Sequence, residues 1–572
     1  MKSTITFPAA LCAAILSLAA CRPSAESTAE SAPDLTAVAA PPVSLDDAHP
    51  VTDIDRMMNE IAELSSDAYG GREPMSEGEI LTLEFIESRF RDLGLQPLFG
   101  DSYRQPVDLV SIEAVPETVQ LTFHLQDRDR LVAYPDEMVA FTMRAVPESR
   151  VEGSEVVFVG YGIVAPEYGW NDYADVDVRG KTVLILVNDP GFATQDPALF
   201  RGNAMTYYGR WTYKYEEAAR RGAAAAVIIH DTAPAAYGWE VVRNSNVGPQ
   251  FHLHRDNDNM DRVPIQSWIQ KPIAEEVVAA AGLDLAELEQ QARSPEFKAI
   301  ALGSTLDARI ENRIVRNQSY NVGALLPGSR RPDEVFVYTA HWDHIGTDRN
   351  VAEGEDGIYN GAVDNATGTS ALLELARSFA ALPRAPARSV AFLAVTAEES
   401  GLLGSAQYAN DPPIPMNQTV AGLNMDALHV YGPTRDVVVV GYGSSELEDV
   451  LKEKAAQQGR VVEPEKHPER GSYYRSDHFN LARKGVPMLY AESGSDHVEL
   501  GPDYVEAKNK EYLERRYHSA LDEITPDWDL RGAAQDIELY FQIGLEVADS
   551  DRWPEWYEGN EFRSIREEAR TR

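Results

Sequence analysis

The sequence predicts an α/β protein, a mostly parallel or mixed sheet with helices on both faces, carrying an inserted β-rich domain. Three observations lead there. From residue 319 onward, short apolar runs alternate with helical patterns. Between about 140 and 300 that rhythm gives way to short β-rich runs. Acidic and imidazole residues recur directly after predicted strands of the alternating region, where open α/β sheets place their ligands.

Taken in order, residues 51–94 hold two helical patterns. Ile54, Met57, Met58, Ile61 and Leu64 recur at helical spacing, as do Ile80, Leu83, Phe85, Ile86 and Leu93, with Gly94 as a stop. Tyr69-Gly70-Gly71-Arg72 between them reads as a turn. In the 141–300 region, Val156–Val159 and Thr182–Val187 read as strands, and a helix around Tyr215–Arg221 leads through Gly222 into Ala223–Ile229. Farther on, Val335–Ala340, Ser389–Thr396, Thr419–Met425, Val437–Val440 and Val486–Tyr490 are predicted strands. Ala366–Ala381, Leu402–Ala409, Glu446–Gln458 and Leu530–Val547 are predicted helices. No internal repeat is found. The expected organisation is 1–20 export signal, 21–46 tether, 47–140 with 301–550 as the main domain, 141–300 as the insertion and 551–572 as a tail.

At 572 residues the chain is too long for one core. Its 91 acidic and 52 basic residues give a formal net charge of −39. Such a surface repels nucleic acid and favours cationic partners, including a free amino terminus, although solubility accounts for most of these charges. Both cysteines, Cys12 and Cys21, fall in the first 21 residues, so a metal in the folded body must be held by His, Asp and Glu.

Residues 1–20 carry Lys2 and an apolar run from Ile5 to Ala20, shorter than a membrane-spanning helix of roughly 20 residues. Leu18-Ala19-Ala20-Cys21 resembles the bacterial lipoprotein cleavage box. That resemblance implies a lipid on Cys21, attachment to a membrane and an exported protein in the cell envelope. Arg22 after the cysteine leans towards the outer membrane. Residues 22–46, rich in Ala, Pro, Ser and Glu, read as a flexible tether.

Four segments follow strands and carry the chemistry. The first is His341-Trp342-Asp343-His344, in which an imidazole can bind metal while a carboxylate accepts its other N–H. The second, Val363-Asp364-Asn365-Ala366-Thr367-Gly368, opens a helix with an Asp able to bridge two cations. The third is Ala397-Glu398-Glu399-Ser400-Gly401, whose adjacent carboxylates can point differently, one to metal and one to act as a base. The fourth is Asn424-Met425-Asp426, and a late His518 with Asp522 four residues on can complete the set. Each piece alone suits a solvated surface. Together they supply the nitrogens, oxygens and bridging carboxylate of a paired zinc site.

These segments resemble those of the co-catalytic di-zinc peptidases, which include bacterial leucyl aminopeptidases and glutamate carboxypeptidases. GYGI at 161–164, GKTVLILV at 180–187 and AARRGAAAAVII at 218–229 resemble the protease-associated domain. The resemblance implies two Zn²⁺ per chain: His341 and Asp426 on one, Glu399 and His518 on the other, Asp364 bridging. It implies that Glu398 is the general base and later the acid, that Asp343 orients His341, and that Asp522 supports His518. It also implies a cis Asp364–Asn365 peptide. Tyr473 or Tyr474, before Ser476-Asp477-His478, is a candidate donor to an oxyanion, with core packing the alternative. His344 reads as a structural or exposed residue, as do His429, His467 and His497.

The expected activity is release of amino-terminal residues from peptides with a free amino terminus. The acidic loop with Asp348, Glu353, Glu355 and Asp356 against Arg349 suits an ammonium group. A carboxypeptidase or dipeptidase needs a basic clamp, for which Arg470, Arg475, Arg483 and Lys484 are the nearby candidates. Glutaminyl cyclisation is disfavoured by the full two-metal set, and a non-catalytic binding protein is separable by zinc content and turnover.

Overall fold

The computed structural model describes residues 44, 45, 47–348, 351, 352 and 354–571. The expected export signal, Cys21 and nearly all of the tether lie outside the described residues. Within them, no helix is long and apolar enough to cross a membrane.

The main sheet contains β1 (Arg104–Ala114), β2 (Pro249–Leu253), β3 (Ile300–Leu326), β4 (Arg331–His341), β5 (Arg388–Val395), β6 (Thr419–Asn424), β7 (Asp436–Val439), β8 (Val461–Pro464) and β9 (Met488–Ser493). Across the sheet they run β2-β1-β3-β5-β4-β6-β9-β7-β8. The centre, β5-β4-β6-β9, is parallel, and antiparallel pairings flank it.

Burial explains why these segments are strands. Every residue of β5 and β6 is buried, as parallel strands covered on both faces require. In β4 successive side chains serve opposite faces. Phe336 and Tyr338 join Phe392, Phe379, Tyr540 and Phe541, under the helices Gly368–Ala380 and Arg531–Asp549. Val335 and Val337 join Leu393 and Tyr408 on the other side. The Tyr338 hydroxyl donates to the Tyr540 carbonyl at 2.7 Å. Gly544 makes this approach possible, because a Cβ there would lie 1.8 Å from that hydroxyl.

The crossover helix from β4 to β5 lies on the first face, and Leu403–Asn410, between β5 and β6, supplies Tyr408 to the second. The chain therefore leaves β4 to one side and returns past it to the other. This reversal opens a crevice at the carboxyl ends of β5, β4 and β6, held in register by His341↔Val395 and Thr339↔Asn424.

β3 belongs to two sheets. Its residues 312–322 pair with β1, whereas 300–311 pair with Glu148–Phe158 and, over 305–309, with Gln120–His124. The smaller sheet continues through the parallel strands Thr182–Leu186, Ala225–His230 and Ile265–Gln270, and antiparallel Met138–Phe141. A lobe drawn around this sheet thus runs from about Gln120 to Glu311, wider than the expected 141–300. The end of the chain packs onto the main body: Trp556, Phe562 and Arg566 are buried, and Arg566 donates to the carbonyls of Thr419 and Val420 in β6. Helix Pro502–Arg515, strand β1 and helix Arg563–Thr571 have no counterpart among the predicted elements.

Candidate metal centre

His341 is the last residue of β4, and its Nε2 lies 3.3 Å from Asp364 Oδ1 and 3.1 Å from Asp426 Oδ1. On the opposite side of Asp364, His518 Nε2 lies 3.3 Å from Oδ2 and 3.1 Å from Glu399 Oε2. The five expected ligand residues are therefore brought together in two triads that share one carboxylate. Donors on a tetrahedral zinc ion at bonds of about 2.0–2.1 Å stand about 3.3 Å apart, so the observed spacings fit an ion in each triad. Nitrogen and carboxylate oxygen donors suit zinc.

Each ligand is held by the fold. Asp426 follows β6, and its Oδ2 accepts from Ser476 Oγ at 2.7 Å; that hydroxyl accepts from Asn424 Nδ2 at 2.7 Å, and Asn424 Oδ1 accepts from Thr339 Oγ1 at 2.6 Å. Asp364 lies after Gly361, whose φ is +56°, and the Asp364–Asn365 peptide is cis. The Asn365 side chain donates to Met425 O at 3.1 Å and accepts from Ala427 N at 3.0 Å, tying the Asp364 loop to the Asp426 loop. His518 sits at φ +54°, with the Tyr517 ring stacked on it at 3.8 Å.

Glu398 and Glu399 diverge. Glu399 faces His518, whereas Glu398 lies with His341 and Glu399 in a group of close donors. Burial pushes the Glu398 carboxyl well above its usual range, with Asp426, Glu399 and Asp477 acting in the same direction and His341 opposing. For Glu399, burial and Asp364 push upward, but hydrogen bonds from His344 and His518 leave it lowered. Burial and its acidic neighbours likewise raise Asp477, to about 7, against His341 and a 2.6 Å hydrogen bond from Ser405.

Three expectations need correction. The Asp343 carboxylate stands 4.0 Å from His341 Nδ1, too far for a hydrogen bond, and the main-chain oxygen of Asp343 faces that nitrogen instead, at 3.1 Å. Asp343 Oδ1 accepts from the Glu398 amide at 3.2 Å, so this side chain positions the next loop. Asp522 does not reach His518. Its oxygens accept from the amides of Val363 at 3.1 Å and Asp364 at 3.0 Å. Tyr473 and Tyr474 turn into the core: their hydroxyls donate to Met488 O at 3.3 Å and Glu561 Oε1 at 2.7 Å.

Two residues were not assigned roles from sequence. Arg72 is fully buried and donates to the carbonyls of Leu64, Trp342, Asn360 and Gly361 at 2.6–2.9 Å. It thereby fixes the loop after His341 to the loop before Asp364. His344, expected to be structural or exposed, is buried, and its Nδ1 lies 2.6 Å from Glu399 Oε1. Its neighbours Tyr69-Gly70-Gly71-Arg72 and His-x-Asp were visible in the sequence; their long-range contacts were not. Of the remaining histidines, His467 is exposed beside Glu469, and His497 Nδ1 accepts from the amides of Glu499 and Leu500.

An α/β sheet with imidazoles and carboxylates gathered at a strand-order reversal defines a metallohydrolase-type centre. Residues 321–542, which contain all these ligand candidates, match the model of Peptidase family M28. A probable zinc metalloprotease of Pyricularia oryzae is 44% identical over 89 residues, 16% of this chain and 17% of that protein. Leupeptin-inactivating enzyme 1 of Streptomyces exfoliatus is 28% identical over 209 residues, 36% of this chain and 43% of its own length. The chain thus aligns with less than half the length of either relative. The aminopeptidase from Aneurinibacillus sp. strain AM-1 aligns over 88% of this chain and 95% of its own, with 19% identity and a TM-score of 0.47.

Proposed function

We propose that this protein is a zinc-dependent aminopeptidase holding two ions. The observation that carries the reading is Asp364, whose two oxygens each face a different imidazole–carboxylate pair. Two zinc ions there would supply Lewis acidity and an acidified water. Asp364, His341 and Asp426 would hold one ion, and Asp364, Glu399 and His518 the other. Glu398, raised by burial and fixed through its amide by Asp343, takes a proton from the attacking water and delivers it to the departing amine. Tyr517, half exposed and stacked on His518, replaces Tyr473 and Tyr474 as the phenol at the rim.

Cleavage from the amino terminus is supported by charge. Glu492 lies two residues beyond Tyr490, the β9 partner of Asn424, just as Asp426 lies two beyond Asn424. Glu492 lines the same recess as Asp426, where desolvation pushes its carboxyl up to about 7 and an ammonium group would favour its charged form. Of the acidic loop, Arg349 and Glu353 lie outside the described residues.

A second reading, carboxypeptidase or dipeptidase, is favoured by Arg210. Its guanidinium is buried, its Nε has no partner among the described residues, and the charge bearing most on it is Arg475, next to Ser476. Arg483, by contrast, pairs with Glu216 at 2.7 Å. Zinc-loaded protein offered unblocked peptides, amino-terminally blocked peptides and amino-acid anilides separates the two. Cleavage of unblocked peptides and anilides is expected; cleavage of blocked peptides alone would establish the second reading.

We further propose that the smaller lobe is a protease-associated domain. Its strands Thr182–Leu186 and Ala225–His230, paired in parallel, carry two of the matching motifs. The export signal and the cleavage box support a lipoprotein of the cell envelope. Mass spectrometry of the membrane fraction should find a lipid on an amino-terminal Cys21, and an unmodified terminus downstream of it would refute the anchor.

A further inference from the structure

We propose that His344 is a positioning residue of the metal centre: Nδ1–H of His344 occupies Oε1 of Glu399, so that Glu399 presents only Oε2 to the ion shared with Asp364 and His518. This rests on the two-metal reading above. Distance separates the role from that of a ligand. His344 lies within ligand range of Asp364 and Glu399. Yet donor pairs within the triads stand 3.1–3.3 Å apart, whereas His344 Nδ1 and Glu399 Oε1 stand 2.6 Å apart. The first spacing suits two donors on one tetrahedral ion, and the second is that of a short charge-assisted hydrogen bond.

The ring is held from several directions. A Cβ on Gly361 would fall 2.6 Å from His344 Cδ2, so the imidazole lies directly on the loop that carries Asp364. The His344 amide donates to Arg72 O at 3.3 Å, and the ring meets His518 edge-on at 5.8 Å. Nε2 is buried with no partner among the described residues, which leaves Nδ1 as the working nitrogen. A carboxylate with one oxygen so engaged binds metal through the other. That keeps a coordination position open for water, which a chelating carboxylate would fill. It also stiffens Glu399 against rotation.

Outer hydrogen bonds of this kind are worth about 10–100-fold in metal affinity. The test is titration of metal-free protein with Co²⁺, read by calorimetry and by visible absorbance, which reports coordination number without substrate. Wild type is expected to bind two ions. His344→Ala should weaken one of them by about 10–100-fold and shift its absorption band, leaving the other ion unchanged. His344→Asn places an amide N–H near the former Nδ1 and should recover affinity; His344→Gln reaches farther and should not. The Asn–Gln contrast retains the test if the Ala variant fails to fold. Wild-type affinity and spectrum in His344→Ala, or equal behaviour of Asn and Gln, would overturn the proposal while leaving two metals intact. Binding of fewer than two ions by wild type would instead defeat the two-metal reading and the proposal with it.

Discussion

The Asp364 amide donates to the Asp522 carboxylate at 3.0 Å, and the other oxygen of Asp522 takes the neighbouring Val363 amide at 3.1 Å. The residue shared by both triads is thus aimed from behind by an acid that touches no ligand atom. Asp522→Ala would leave two buried N–H groups without partners, at about 1–3 kcal/mol each. The expected outcome is a lower melting temperature in chelator together with weaker binding of both ions, because Asp364 serves both. Calorimetric zinc titration and thermal unfolding check this; loss of one ion alone would contradict the shared-carboxylate geometry.

Arg72 is the matching device on the other side of the centre. It ties four carbonyls while Asp522, Asp364, Asp343 and Glu399 surround it, and burial lowers it to about 10, so it remains charged at neutral pH. Arg72→Met keeps the stem and removes the cation. Each buried carbonyl left without its donor costs about 1–3 kcal/mol. Thermal unfolding should show that loss in metal-free protein, and added zinc should recover part of it by relieving the same carboxylates. An unchanged melting temperature would show that the carbonyls find water instead.

His341, Glu399 and Asp426 were legible because each ends or follows a short apolar run that reads as a strand, whereas Asp364 opens a helix and His518 follows one. Asp343 and Asp522 were misjudged for reasons of geometry. His-x-Asp suggested a side-chain bond, but the turn after β4 brings the Asp343 main-chain oxygen to His341 first. The i,i+4 spacing of His518 and Asp522 implies a shared face only in a helix, and His518, at φ +54°, lies beyond the end of Pro502–Arg515. Arg72 meets Trp342 and Gly361 across 270 and 289 residues of sequence, a distance over which periodicity carries no signal. β3 hid its length because its two halves answer to different sheets: burial alternates near Leu306–Ile310 and nearly vanishes over Arg313–Gln318.

Metal binding should depend on pH in a defined direction. Without metal, burial would lower His518, but its hydrogen bonds to the Asp364 and Glu399 carboxylates outweigh that and raise it to about 10; burial of His341 is likewise outweighed, chiefly by Asp426 and Glu398. Both imidazoles therefore carry protons at pH 7 that must leave before they can ligate. Zinc added to metal-free protein at pH 7 in weak buffer should release protons, and affinity should strengthen as pH rises towards 10. The linkage also runs through stability. A folded pKa raised above the unfolded value of roughly 6.5 stabilises fully below it, and that contribution is lost as pH rises through the folded value. Metal-free protein should accordingly melt lower at pH 9 than at pH 6, and zinc should flatten the dependence. A zinc affinity independent of pH would mean that the imidazoles are not ligands.

Glu398 and Glu399 are adjacent in sequence, and the structure sends them to different tasks, so their substitutions should fail differently. Glu399 faces His518 at 3.1 Å and His344 at 2.6 Å, inside one triad. Glu398 meets neither in a hydrogen bond, and its carboxyl is raised by burial, as suits a group that alternately holds and gives up a proton. Glu398→Gln keeps size and polarity but cannot carry the proton. Zinc content should stay near that of wild type, and kcat should fall by about 10²–10⁴-fold, with KM little changed. Glu399→Ala removes a donor from one triad, so zinc content should drop and activity should come to depend on added metal. Elemental analysis alongside kcat for both variants decides the matter. Near-normal kcat in Glu398→Gln, or zinc loss in it as severe as in Glu399→Ala, would show that proton transfer and metal binding are not divided between these two carboxylates.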